Sequence, residues 1–223
     1  MSPMQSSDET EPKSDNAQKQ SLSQGVYEHL LEKFLQNELV PGNILNRREI
    51  AQRLGVSVAP VLEALLQLEM EGFVESIPRK GTLVKPVRQE DIFGQLMLRE
   101  AVECQATRLY CGKRVREKRA ALEALADELD LTASESPEHW KQEIEFHRRL
   151  VELSDCPALV REFTRFIRLG VFYRMNRILQ PVDRLDRQSH SSLIEAVSGD
   201  DPDLAERAVR QHLRSGKQHL FKT

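Results

Sequence analysis

What this chain has little of narrows its class. Cysteine occurs three times (Cys104, Cys111, Cys156), an odd number with no CxxC pair. That excludes a disulfide framework and fits unpaired thiols in a reducing compartment. No run of 18 apolar residues occurs, and the N-terminus is polar. A membrane span or a secretion signal is therefore not expected, and a cytoplasmic location is. Glycine totals ten, with no Gly-rich loop of the kind that cradles phosphate. Excess positive charge is also missing: the net charge is −3, which argues against a protein that coats nucleic acid without regard to sequence. It leaves room for a small DNA-reading module. What is present, 39% hydrophobic and 30% charged residues in a chain of 223, suffices for one large folded domain or two modest ones.

Residues 1 to about 20 contain two methionines and one alanine as their apolar side chains, too few to offset the entropy of ordering. A disordered tail is expected there. From Ser21 the pattern changes: Val26, Leu30, Leu31, Phe34 and Leu35 recur at helical spacing. A second, short helix follows, with a capping-box-like Asn46 and Glu49 at its start and Gly55 at its end. Ser57 is placed to cap a third helix, with Pro60 in its first turn and Gly72 beyond its end. Two extended pieces, 73–77 and 82–84, flank Pro78-Arg79-Lys80-Gly81 and predict a hairpin.

Three helices plus a hairpin describe a winged helix-turn-helix over 21–86. Residues 85–89 read as a linker into a domain over 87–223. Beyond it no strand pattern occurs, and the periodicity predicts six helices at about 90–111, 116–131, 137–154, 157–179, 183–198 and 202–220. Their short connections favour antiparallel packing.

A helix-turn-helix uses one short helix to brace a second, and a tight Gly-containing turn lets that second helix enter a major groove. Residues 50–54, the Gly55-Val56-Ser57 turn and the helix from Val58 supply these parts. The wing tip Arg79-Lys80-Gly81 offers two cations to phosphate or a minor groove. The stretch EIAQRLGVSVAPVLEALLQLEMEGFVESIPRKGTLV resembles the N-terminal domain of GntR-type bacterial transcription regulators, whose pattern runs close to LAxxLGVSRTPVREALxxLexeGLVxxxxxrGxxV. The resemblance implies a double-stranded DNA operator as partner and a DNA-contacting set of Arg47, Arg48, Ser57, Val58, Leu62, Arg79, Lys80 and Gly81. It also shows where this chain departs. Arg48 keeps an arginine usual before the second helix, while Val58 and Leu62 replace two arginines of the recognition helix and Ala59 replaces a threonine. An apolar side chain cannot make the bidentate guanine contact of an arginine, worth about 1–3 kcal/mol, though Val58 can touch a thymine methyl. Residues 21–86 hold seven Lys/Arg against eight Asp/Glu, so counterion release starts from little charge.

Six histidines occur in the chain. His29, His139 and His219 read as surface or capping residues. Glu143 and His147 are four apart, on one helical face. His190 lies beside Leu193, Ile194 and Val197, and His212 beside Val209 and Leu213. Three imidazoles and a carboxylate suit Zn²⁺, Ni²⁺ or another divalent transition metal and leave a position open for a ligand. By spacing alone, core histidines satisfied by hydrogen bonds are the stronger alternative.

The segment Glu143-Ile144-Glu145-Phe146-His147, then His190 before Leu193-Ile194-Glu195-Ala196, then Ala205 through His212-Leu213, resembles the all-helical FCD domain of the FadR subfamily of GntR regulators. That resemblance implies a metal held by His147, His190 and His212, with Glu143 in the place of the usual aspartate. It also implies a role for Arg99 near an effector pocket, where a guanidinium beside an open metal position would grip a small carboxylate. An ion pair of Arg99 with Glu103 is the structural alternative. The whole then reads as a homodimeric repressor whose operator binding responds to a small organic acid. A metal-responsive regulator and a metal-dependent hydrolase are the other readings, the last without a visible nucleophile.

Overall fold

The computed structural model describes residues 13–132, 136–175 and 189–215. The chain forms two compact units, Met1–Phe34 with Gly42–Lys85, and Leu35–Pro41 with Pro86–Thr223. The first contains α1 (Lys13–Leu35), β1 (Ile44–Leu45), α2 (Arg47–Leu54), α3 (Val58–Glu71), β2 (Val74–Ile77) and β3 (Gly81–Val84). Its core takes Val26, Leu30 and Phe34 from α1 and Val61, Leu65 and Leu68 from α3, the positions that helical spacing selects. Phe73 closes it, its ring centroid 5.1 Å from that of Phe34.

The helix stops and the hairpin have local causes. Gly55 and Gly72 take left-handed conformations just after α2 and α3, as helix C-termini favour. β2 and β3 pair antiparallel, with Ile77 opposite Gly81 and Val74 opposite Val84. The wing needs glycine at Gly81: φ is 114°, and a Cβ there would lie 3.1 Å from the Leu45 carbonyl oxygen and 3.2 Å from Ile44 Cγ2. Glu69 of α3 fastens the hairpin, accepting from Ser76 N at 2.6 Å and Ser76 Oγ at 2.9 Å.

Several expectations are corrected. α1 begins at Lys13, inside the segment 1–20 read as a disordered tail, and residues 1–12 lie outside the described residues. Extending a helix costs far less than starting one, so polar residues can propagate a helix that the apolar ones after Ser21 anchor. A third strand, β1, pairs with β3; at two residues it is too short to leave a period in the sequence. Asn46 does cap α2, accepting from Arg48 N, but its amide donates to the Glu49 carboxylate, so the box is not reciprocal. Ser57 occupies the N-cap of α3 without a side-chain capping bond.

The second unit contains α4 (Gln89–Tyr110), α5 (Lys113–Leu131), α6 (Pro137–Glu152), α7 (Pro157–Met175), α8 (His190–Val197) and α9 (Pro202–Arg214). α4 packs on α7 and α9, and α5 on α6 and α8, around a core that includes Phe146, Leu150, Phe163, Ile194 and Val209. Among the described residues these are the six helices expected, and the ends expected at 176–179 and 216–220 lie outside them. α8 starts at His190 instead of residue 183, because the Ser189 hydroxyl caps it by accepting from Ser192 N; residues 183–188 lie outside the described residues. His139, read as a surface or capping residue, is buried edge-on against Trp140, whereas His29 is half-buried and His219 is outside the described residues. No described helix is long and apolar enough to cross a membrane.

Candidate DNA-reading face and histidine cluster

In the first unit, α3 follows the α2–turn element and presents an outward row. Val58, Leu66 and Met70 are exposed and Leu62 is half-buried, four residues apart and so on one helical face. The cations expected to meet DNA lie off that row. Arg48 is exposed at the start of α2 and Arg79 and Lys80 are exposed at the wing tip, while Arg47 is half-buried. Arg47 Nε has no hydrogen-bond partner among the described residues. Arg79 takes φ 66° and Lys80 N donates to the Ile77 carbonyl, which makes the tight turn that carries both cations.

In the second unit, α6, α8 and α9 bring together His147, His190 and His212, all buried. One ring nitrogen of each lies within 4.8 Å of the others, and the ring centroids are 4.9–5.8 Å apart. Carboxylates hold the far side of two rings. His147 Nδ1 lies 2.7 Å from Glu103 Oε2, and His190 Nδ1 lies 2.7 Å from Asp130 Oδ1. Such partners fix tautomer and ring orientation and leave Nε2 facing inward. His147 Nε2 has no hydrogen-bond partner among the described residues.

Glu143 stands at the cluster but is already engaged. Its Oε1 accepts from both terminal nitrogens of Arg99 at 3.3 Å and lies 3.6 Å from His147 Nε2, and its Oε2 lies 3.2 Å from His190 Nε2. Arg99 also pairs with Glu103, the structural alternative to a role at an effector pocket.

The charges follow from these contacts. Burial works against ionising Glu143, but His147, His190 and Arg99 outweigh it and hold its pKa well below the usual range. Glu103 is likewise lowered, burial being outweighed by Arg99 and His147. Burial is the main cause that lowers His147, opposed by Glu103 and reinforced by Arg99. Burial also acts to lower His190, yet its bonds with Asp130 and Glu143 dominate and raise it to about 9.

A cavity of about 30 Å³ adjoins the cluster, with Arg99, Gln95 and Glu143 as polar lining and Trp140, Phe166 and Tyr173 among the apolar residues. It has room for one or two water-sized groups. Gln95 Oε1 is buried without a partner among the described residues.

The histidines and Glu143 were legible in the sequence; Asp130 and the orienting role of Glu103 were not. Glu103 leaves one signal, its position one turn after Arg99. Asp130 leaves none, because its partner lies 60 residues away.

Residues 22–84 match the bacterial regulatory proteins of the gntR family, and residues 95–215 match the FCD domain. The chain belongs to the gntR family of regulators with an FCD domain. It is 25% identical over 199 residues to the HTH-type transcriptional repressor RspR of Escherichia coli K12, covering 87% of each chain. It is 27% identical over 197 residues to the probable D-xylose utilization operon transcriptional repressor of Paenarthrobacter nicotinovorans, covering 86% of each. Among solved structures, a GntR regulator from Rhodococcus sp. RHA1 shares the fold at a TM-score of 0.70 and 21% identity, over 90% of this chain and 98% of that one. As a gntR-family member the chain is a DNA-binding transcriptional regulator and not an enzyme, and its FCD domain is a ligand-binding domain.

Proposed function

We propose that this regulator is a homodimeric repressor whose hold on a two-fold-related operator is altered by a small organic acid, bound beside a divalent transition metal, zinc or nickel. The observation that carries the reading is the convergence of three buried imidazoles from three helices, two of them oriented by carboxylates, beside a cavity containing Arg99. The donor set fits such an ion. A tetrahedral centre with metal–nitrogen bonds of about 2.0–2.1 Å needs its nitrogens roughly 3.3 Å apart, so the rings at up to 4.8 Å close by a modest inward movement. When bound, the metal would supply a Lewis-acidic position open to a carboxylate oxygen.

The protein's own groups do the rest. His147, His190 and His212 are the proposed ligands, with Glu143 as a fourth once it releases His190. Arg99 is placed to pair with the acid's carboxylate, and the Gln95 carbonyl oxygen to accept from a hydroxyl or amine of the same molecule. Because Arg99 also holds Glu103 and Glu143, a ligand that draws on Arg99 would loosen α4 from α6. That differential contact is what a shift between two arrangements requires. Residues 85–89 would pass it to the DNA-binding unit. Dimerisation is supported by the pairing that helix-turn-helix regulators use to span two half-sites, and repression by the names of two relatives.

One experiment tests the chain of argument. Duplex binding is measured for zinc-loaded and chelator-stripped protein, with the small acids acetate, glycolate and lactate as probes. The expected result is that at least one acid weakens duplex binding at least fivefold with the loaded protein and has no effect on the stripped one. Identical responses of both forms would reject the metal-centred site. The engagement of Glu143 by Arg99 favours a second reading, in which weakly held metal is itself the signal; metal alone would then change duplex affinity.

A further inference from the structure

The outward row on α3 is chemically unusual for a surface that meets DNA. The helix sequence VAPVLEALLQLEME contains no lysine or arginine. Over its first three turns the outward residues are Val58, Ala59, Leu62, Glu63 and Leu66. Glu63 can only accept a hydrogen bond, and Gln67 donates to Glu71. Val58, Ala59, Leu62, Glu63 and Leu66 cannot donate to guanine O6 and N7 or make the paired contact to adenine, and the amide of half-buried Gln67, which could, is turned to Glu71.

Among the groups that the four bases offer in the major groove, one is apolar: the 5-methyl of thymine. We infer that this protein selects its operator through thymine methyl groups that pack against Val58 and Leu62. The inference rests on the reading of α3 as the helix that enters the major groove. Val58 begins the helix, where recognition helices approach base edges, and Leu62 follows one turn later on the same face. Arg48, Arg79 and Lys80, exposed to either side of that helix in the chain, would hold phosphates and set the register without reading sequence. The Ser57 hydroxyl, which makes no capping bond, is free to join them. Apolar contact also explains how a unit with no excess positive charge can discriminate: its specificity does not depend on counterion release.

The test uses the full chain and a duplex that the protein itself enriches from a random library. Each thymine is replaced in turn by deoxyuridine, which removes the methyl and leaves base pairing intact. The expected result is a thymine position in each half-site, or two, at which the replacement weakens binding roughly three- to fivefold, the value of one buried methyl group. Val58→Ala or Leu62→Ala should weaken the thymine duplex by the same factor and abolish the effect of deoxyuridine at one position. Both side chains are at least partly exposed, so these variants should fold. Deoxyuridine that has no effect anywhere, while the protein still prefers its enriched duplex to scrambled DNA, would overturn the inference and leave the regulator standing. Failure to enrich any duplex would overturn sequence-specific reading itself, and the inference with it.

Discussion

The two units of this protein place polar and apolar groups in opposite ways. On α3 of the DNA-binding unit the outward face carries Val58, Leu66 and Met70, exposed by 43, 47 and 77%. In the helical unit the interior holds Arg99, Glu103, Glu143, His147, His190 and His212, with His147 fully buried and Glu103 3% exposed. Folding alone rewards neither placement. Charged side chains are rarely buried unless paired, and exposed apolar groups gain nothing until something covers them. The comparison teaches that function in this chain is marked by where each unit breaks the ordinary sorting of residues. The outward break suits a partner with apolar features, and the inward one suits a ligand that can share charge.

The comparison can be broken most severely at Glu103. Its removal leaves Arg99 and His147 each short of a buried partner, so Glu103→Ala should cost about 3–5 kcal/mol, measured by urea denaturation of the metal-free protein. A cost below 1 kcal/mol would mean that the interior charges are not mutually dependent. Smaller effects are expected at the DNA-binding unit. Lys80→Ala should weaken enriched and random duplexes alike and lower the slope of log affinity against log salt by about 1. Arg48→Ala should likewise weaken both duplexes by a similar factor, and a loss confined to the enriched duplex would make Arg48 a base reader alongside the apolar row. The smallest effect is expected on the outward row itself. Met70→Gln should leave folding stability within about 0.5 kcal/mol of the parent, measured by thermal denaturation. A larger loss would show that the row is part of the fold and not a free face.

The sequence shows most of the fold because its units depend on local signals. Helical spacing from Val26 to Phe34, the stops at Gly55 and Gly72, and Pro78 to Gly81 at the wing each act over a few residues. Elements that rest on distant partners were harder to see. β1 exists because Leu83 and Thr82 lie opposite Ile44 and Leu45, and two residues cannot display a period. The start of α1 at Lys13 follows from helix propagation, which composition alone does not reveal.

The candidate site divides in the same way. Glu143 and His147 share a helix face and were visible as a pair, and His190 and His212 each lie beside apolar residues of their own helix. Asp130 and Glu103 act across the bundle on rings 60 and 44 residues away, and no local pattern encodes that. The double engagement of Glu143 by Arg99 and His190 was equally invisible. In the proposed metal site it would decide whether Glu143 is available as a fourth ligand.

The central claim, that the buried imidazoles form a metal site and not a self-contained polar core, is tested most directly by adding zinc to chelator-stripped protein. Metal stoichiometry and melting temperature are followed for the parent chain and for His147→Ala combined with His190→Ala. One equivalent of zinc per chain is predicted for the parent. Its stabilisation should be about 2.7 kcal/mol at a free metal concentration a hundredfold above the dissociation constant, and both effects should be absent in the double variant. A parent chain that takes up no zinc, or a double variant that takes up as much as the parent, would contradict the account.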